Sequence, residues 1–105
     1  FDVSGGNYSI EYSFVKGCAD KGISVGEKSS LVAKEVLVEK ANIAISAKDF
    51  SRVKVSFFEA MKVSICAEAK RKKQEFGGAK LLIDNYKCSA NFDIDGESKF
   101  VVNHL

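Results

Sequence analysis

The sequence predicts an α+β fold in which an antiparallel sheet packs against one long helix and a second helix. Two observations predict it. Residues 49–76 contain no Gly or Pro and carry apolar side chains at helical spacing, whereas alternation with period two follows Gly78. A sheet and an amphipathic helix each need to bury one apolar face, and packing the two together satisfies both. At 105 residues, the whole chain (1–105) is expected to form one domain.

The long helix is predicted over residues 49–78, and residues 59–76 stay helical in the alternative described below. At 100° per residue, the large apolar side chains fall in one broad sector, namely Phe50, Phe57, Phe58, Met61 and Ile65. Basic residues near the end suit the negative pole of a helix dipole, and Gly77–Gly78 is a typical helix stop. An alternative is a strand over residues 52–58, because apolar and polar residues also alternate there.

The second helix is predicted from residue 27 to about Ala41, because residues 27–47 contain no helix breaker. Its apolar residues cover most of the helical wheel, so the alternative is a pair of strands at residues 36–38 and 43–45.

The sheet is predicted from both ends of the chain. Residues 7–15 alternate aromatic or aliphatic side chains with polar ones, which predicts a half-buried strand, and the glycine-containing residues 16–26 then predict a loop. A strand over residues 82–94, an Asp95–Gly96 turn and a return strand over residues 99–102 predict a C-terminal hairpin. We find no internal repeat in the sequence.

Composition restricts the class of protein. Hydrophobic residues make up 46% and charged residues 29%, which is typical of a globular rather than a disordered chain. The net charge of +2 does not by itself imply a polyanionic partner. No apolar run approaches the roughly 18 residues of a membrane span, so we expect a soluble domain.

The three cysteines, Cys18, Cys66 and Cys88, are widely spaced and accompany a single histidine, which argues against a zinc site. We predict one disulfide between Cys18 and either Cys66 or Cys88. Because the chain begins with Phe1 rather than Met, we expect a secreted or periplasmic protein. The alternative is a cytoplasmic protein in which all three thiols are buried.

Two clusters are candidate binding sites. The first has oxygen ligands at alternate positions before a glycine, as in the first half of a calcium loop: Asn91, Asp93 and Asp95. The closing bidentate Glu of such a loop is replaced by Val102, so a plain hairpin turn is the alternative. The second is a basic cluster of the kind that binds phosphates: Lys70, Arg71, Lys72 and Lys73.

The sequence contains no set of acid, base and nucleophile and no cofactor motif, which favours a non-enzymatic domain without a cofactor. We therefore expect a small protein-interaction module whose partner is another protein or a second copy of itself. The alternative is a cytosolic domain that binds nucleic acid or a phosphorylated ligand through residues 70–73.

Overall fold

The computed structural model describes residues 1–102, and their side chains except those of Cys18 and Ala19, as strands joined by turns. There are seven strands in this part of the chain and no helix: β1 (Asp2–Val3), β2 (Gly6–Val25), β3 (Ser29–Lys48), β4 (Arg52–Lys70), β5 (Lys80–Lys87), β6 (Asn91–Ile94) and β7 (Lys99–Val102). Every strand pair is parallel. The fold is a parallel β-solenoid, and the predicted α+β fold with an antiparallel sheet is wrong.

The chain winds in coils that stack on one another. Strands β2, β3 and β4 each form most of one coil, β5 and β6 together form the next, and β7 begins another. Between β3 and β4 the pairing runs from Ser30 with Arg52 to Lys48 with Lys70, and the offset along the chain is the same at every pair. The chain therefore has a structural repeat that the sequence analysis did not find, since apolar character recurs at this spacing but residue identity does not.

The core consists of columns in which one inward-facing residue from each coil stacks on the next. Leu31, Val53 and Leu81 form one such column, and Val36 and Phe58 lie together in another. All five are buried. Complete burial of side chains of this size stabilises the fold by roughly 1.5–3 kcal/mol each, which explains why apolar residues recur at these positions.

At one corner of each coil the strands bend at a residue with left-handed backbone conformation. Lys40 (φ 63°) and Lys62 (φ 58°) occupy equivalent places in β3 and β4. Gly17 (φ 136°) lies in the irregular stretch of β2 that faces the same corner. Positive φ is uncommon outside glycine, and one such residue redirects an extended chain without ending its pairing.

The predicted helix over residues 49–78 is wrong because corners change which residues face inward. In β4 the inward residues are Val53 and Val55, and after a bend Phe58 and Ala60. The step from Val55 to Phe58 imitates helical spacing. The alternative strand over residues 52–58 is correct and extends to Lys70.

The predicted second helix is also wrong, since the whole segment from Ser29 to Lys48 is strand and includes both alternative strands, 36–38 and 43–45. The strand predicted over residues 7–15 lies within β2, but β2 continues to Val25 through the predicted loop.

The predicted C-terminal hairpin is wrong in its pairing. Strand β6 pairs with β4 and strand β7 pairs with β5, both in parallel, so the Asp95–Gly96 turn joins two different coils. Gly78 does not end a helix; it lies against the backbone of Glu97, where a Cβ atom would not fit.

Candidate binding groove

Three basic side chains stack in one column on the outer surface of the solenoid. Arg52 of β4 pairs in register with Lys80 of β5, which pairs with Lys99 of β7. Neighbouring strands lie about 4.8 Å apart, so this basic column repeats a positive charge at that interval along the solenoid axis.

A second column runs beside the basic column, two residues further along each strand. It contains Val32, Lys54, Leu82 and Val101, paired in that order. Side chains two residues apart point to the same side of a strand and lie about 6.8 Å apart. The two columns therefore enclose a groove of about 430 Å³ that runs across four coils. One wall is basic and the other is mostly apolar.

The cations of the groove have no acidic partner in the part of the chain that the structure describes. Arg52, Lys54, Lys80 and Lys99 are exposed, and none takes part in an ion pair among residues 1–102. Like charges placed directly opposite each other on neighbouring strands repel. A bound anion would relieve this repulsion, so the groove is electrostatically suited to a negatively charged ligand.

A second cavity of about 530 Å³ adjoins the groove and shares Arg52 and Lys80 with it. Its lining includes Phe50, whose ring is 52% exposed, and the acidic Glu97. Ser51 also lines it, and the hydroxyl of Ser51 is buried and has no hydrogen-bond partner among the described residues.

The basic cluster predicted as a binding site lies at the end of β4 and in the following turn, not on a helix. Lys70 Nζ is 2.7 Å from a carboxylate oxygen of Asp93 and 3.8 Å from one of Glu68. The hydrogen bond to Asp93 raises the pKa of Lys70. Lys73 Nζ is 3.5 Å from Glu27. Two members of this cluster thus have acidic partners within the fold.

The predicted calcium ligands lie in and after β6. Asp93 binds Lys70, and the Asp95 carboxylate accepts backbone hydrogen bonds from Arg71 (2.7 Å) and Glu97 (3.1 Å). Although partial burial acts to raise the pKa of Asp95, these N–H groups and the Ser98 hydroxyl lower it overall. No group of three or more acidic, histidine or cysteine side chains able to hold a metal ion occurs among residues 1–102. Calcium binding at Asn91, Asp93 and Asp95 stays a prediction that this geometry does not support.

The disulfide of the structure joins Cys66 in β4 to Cys88, just after β5, with Cα atoms 6.2 Å apart. The two cysteines predicted as alternative partners of Cys18 are therefore bonded to each other. The side chain of Cys18 lies outside the described residues.

Sequence analysis missed the groove because its residues are distant along the chain. Arg52, Lys80 and Lys99 lie on three different strands, and only the register of the coils brings them into one column. A search for apolar character that recurs at the spacing between Ser30 and Arg52 would have aligned the coils of β3 and β4. That alignment would have shown which positions face outward.

No protein-family model, curated protein or solved structure matches this chain significantly. Among residues 1–102 there is no helix with the length and apolar character needed to cross a membrane.

Proposed function

We propose that this protein is a non-enzymatic interaction module that binds an acidic, partly apolar segment of another protein in the groove. The observation that carries the proposal is the column of Arg52, Lys80 and Lys99 beside the apolar residues Val32, Leu82 and Val101. Three stacked cations without acidic partners among the described residues complement a row of carboxylates.

The groove can accept an extended peptide, although the carboxylates of such a peptide recur at a longer interval than the cations of the basic column. In an extended chain, alternate side chains point to the same side at intervals of about 6.8 Å. A peptide lying along the groove can direct its carboxylates to the basic column and its aliphatic side chains to the apolar wall. None of the described residues that line the groove is aromatic, whereas single-stranded nucleic acids are usually bound on stacking aromatic platforms.

The Cys66–Cys88 disulfide supports the proposal that the module is exported, in the periplasm or outside the cell. Disulfides persist in oxidising compartments and are rare in the cytosol. The acidic partner would then be a protein of the same compartment.

The test is fluorescence anisotropy with labelled nine-residue peptides that alternate glutamate and valine. Matched peptides carry glutamine in place of glutamate. The test variant is Arg52→Ser/Lys80→Ser/Lys99→Ser, and the control variant is Lys16→Ser/Lys72→Ser/Lys87→Ser, which removes the same charge from exposed positions outside the groove. Exposed ion pairs contribute about 0.5 kcal/mol each, so losing three should weaken binding of the acidic peptide about tenfold.

The control variant should bind within about twofold of the wild-type protein. Equal weakening by both variants would show that only net charge matters, and the groove would not be the site. Tighter binding of an oligonucleotide than of the acidic peptide, lost in the test variant, would assign the groove to nucleic acid instead.

A further inference from the structure

The cavity beside the groove has an exposed aromatic ring in its wall. Phe50 lies in the turn between β3 and β4, and its ring is 52% exposed. This Phe50 cavity has a volume of about 530 Å³ and is also lined by Arg52, Lys80 and Glu97. Ligand pockets of roughly 300–1,000 Å³ combine apolar or aromatic walls with a few polar groups, and the Phe50 cavity has both features.

The ring of Phe50 is held in position by the segment that follows β4. The backbone N–H of Phe50 donates to the carbonyl oxygens of Gly77 (3.3 Å) and Gly78 (3.1 Å). Its ring meets that of Phe76 edge to face, with centroids 5.8 Å apart. A Cβ atom at Gly77 would lie 2.6 Å from Cε1 of Phe50, so the ring occupies space that glycine leaves free. A ring that is already positioned binds a ligand at a lower cost in entropy.

The turn at Phe50 does not itself require an aromatic residue. Lys28 occupies the equivalent position one coil earlier, because Ser30 and Arg52, each two residues further on, pair in register. Both residues have left-handed backbone conformation, with φ 54° at Lys28 and φ 64° at Phe50. The phenyl ring at this position adds apolar surface to the cavity wall, which a ligand can remove from water.

Two cations stand between the Phe50 cavity and the groove. Arg52 and Lys80 pair in register and line both sites, and neither takes part in an ion pair among residues 1–102. Cations are attracted to the faces of aromatic rings, and most strongly to tryptophan. The carboxylate of Glu97 accepts hydrogen bonds, and the indole N–H of tryptophan is a donor. An aromatic ring, two cations and an acceptor thus suit an indole better than an aliphatic side chain.

We propose that the Phe50 cavity receives a tryptophan side chain of the acidic segment that binds in the groove. The indole packs against the ring of Phe50, and a neighbouring carboxylate of the segment lies between Arg52 and Lys80, where the cavity opens into the groove. This inference rests on the proposed function, because the groove supplies the other contacts of the segment. It adds to that function a preference for one kind of residue beside the carboxylates.

The test uses the fluorescence of the peptide, because the protein contains no tryptophan. The probes are the peptide of alternating glutamate and valine extended by tryptophan at either end, and matched peptides that carry leucine in place of tryptophan. Their affinities are measured by competition with the labelled peptide. One of the two tryptophan peptides should bind about tenfold more tightly than its leucine counterpart, because a packed aromatic pair adds to the effect of buried area. Its emission should move to shorter wavelength on binding, since the indole leaves water.

The test variant is Phe50→Ala, and the control variant is Phe14→Ala. Phe14 is also 52% exposed but lines neither the cavity nor the groove. Phe50→Ala should abolish both the preference for tryptophan and the shift in emission, while the leucine peptide binds within about twofold of its wild-type affinity, which shows that the groove is intact. Phe14→Ala should change neither readout. Phe50→Tyr retains an aromatic ring and should retain the preference.

The outcomes separate this inference from the function on which it rests. Equal affinities of the tryptophan and leucine peptides, or a preference that survives Phe50→Ala or is lost equally in Phe14→Ala, overturn the inference. The proposed function still stands in those cases if the leucine peptide binds and is weakened by Arg52→Ser/Lys80→Ser/Lys99→Ser. If none of the peptides binds the wild-type protein, the proposed function fails, and the inference fails with it.

Discussion

Reduction of the Cys66–Cys88 disulfide should destabilise the fold strongly, because the bridge spans the longest connection between strands among residues 1–102. Strand β4 ends at Lys70 and β5 begins only at Lys80, so the segment over residues 71–79 lies outside any strand. The disulfide joins β4 to the end of β5 across this connection. Without it, the fourth coil depends on strand pairing and on the packing of its few inward side chains.

The magnitude follows from the length of the closed loop. The cysteines are separated by 22 residues. In the chain-entropy model, removing a cross-link over a loop of this length stabilises the unfolded state by about 3.4 kcal/mol at 25 °C. For a domain of about 100 residues, each kcal/mol changes the melting temperature by about 4–8 °C, so a decrease of at least about 13 °C is expected.

The assay is urea unfolding followed by circular dichroism, with and without a thiol reductant. Reduction keeps both side chains in place, and the variant Cys66→Ala/Cys88→Ala should behave like the reduced protein and be unaffected by the reductant. Tryptic mapping without reduction should recover residues 63–70 linked to residues 88–99, with Cys18 in a separate peptide, residues 17–21.

Two results would refute the reasoning. A loss of stability on reduction no larger than that of an ordinary surface substitution, about 0.5 kcal/mol, would mean that the bridge does not constrain the unfolded chain. A tryptic peptide containing Cys18 linked to either other cysteine would show a different connectivity from the one that positions the fourth coil.

Two further predictions test the core and the turn after β6. Phe58 is fully buried, so Phe58→Ala should lower the free energy of unfolding in urea by about 3–5 kcal/mol. Its neighbour Phe57 is only partly buried, so Phe57→Ala should lower it clearly less. Similar losses for the two variants would contradict the inward orientation of Phe58 in β4. Because the pKa of Asp95 is lowered in the fold, its stabilising contribution is present above the ordinary value of 3.8 and disappears as pH falls through the folded value. Asp95→Asn should therefore lower the melting temperature at pH 7, with the difference from the wild-type protein shrinking towards pH 2; a constant difference would contradict this.

The extent to which the sequence predicted the fold differs from segment to segment. Residues 7–15 are strand as predicted, but the inward-facing set changes between Ile10 and Ser13, so Tyr12 and Phe14, which continue the sequence alternation, are exposed. Residues 52–70 were predicted as helix because bends interrupt that alternation after every few residues. Residues 91–94 and 99–102 are strands as predicted. A strand pattern does not specify which strand it pairs with, and the Asp95–Gly96 turn suggested that these two strands pair with each other, whereas they pair with β4 and β5.

The sequence by itself determined the globular character of the chain, its supply of apolar residues for a core, and several of its strands. Only the tertiary structure decided that every strand pairs in parallel with a segment roughly one coil away along the chain. The groove follows from that decision, since Arg52, Lys80 and Lys99 become neighbours only through the register. The physical reason is that alternation is a local property of a strand, whereas register depends on which distant apolar columns stack most completely.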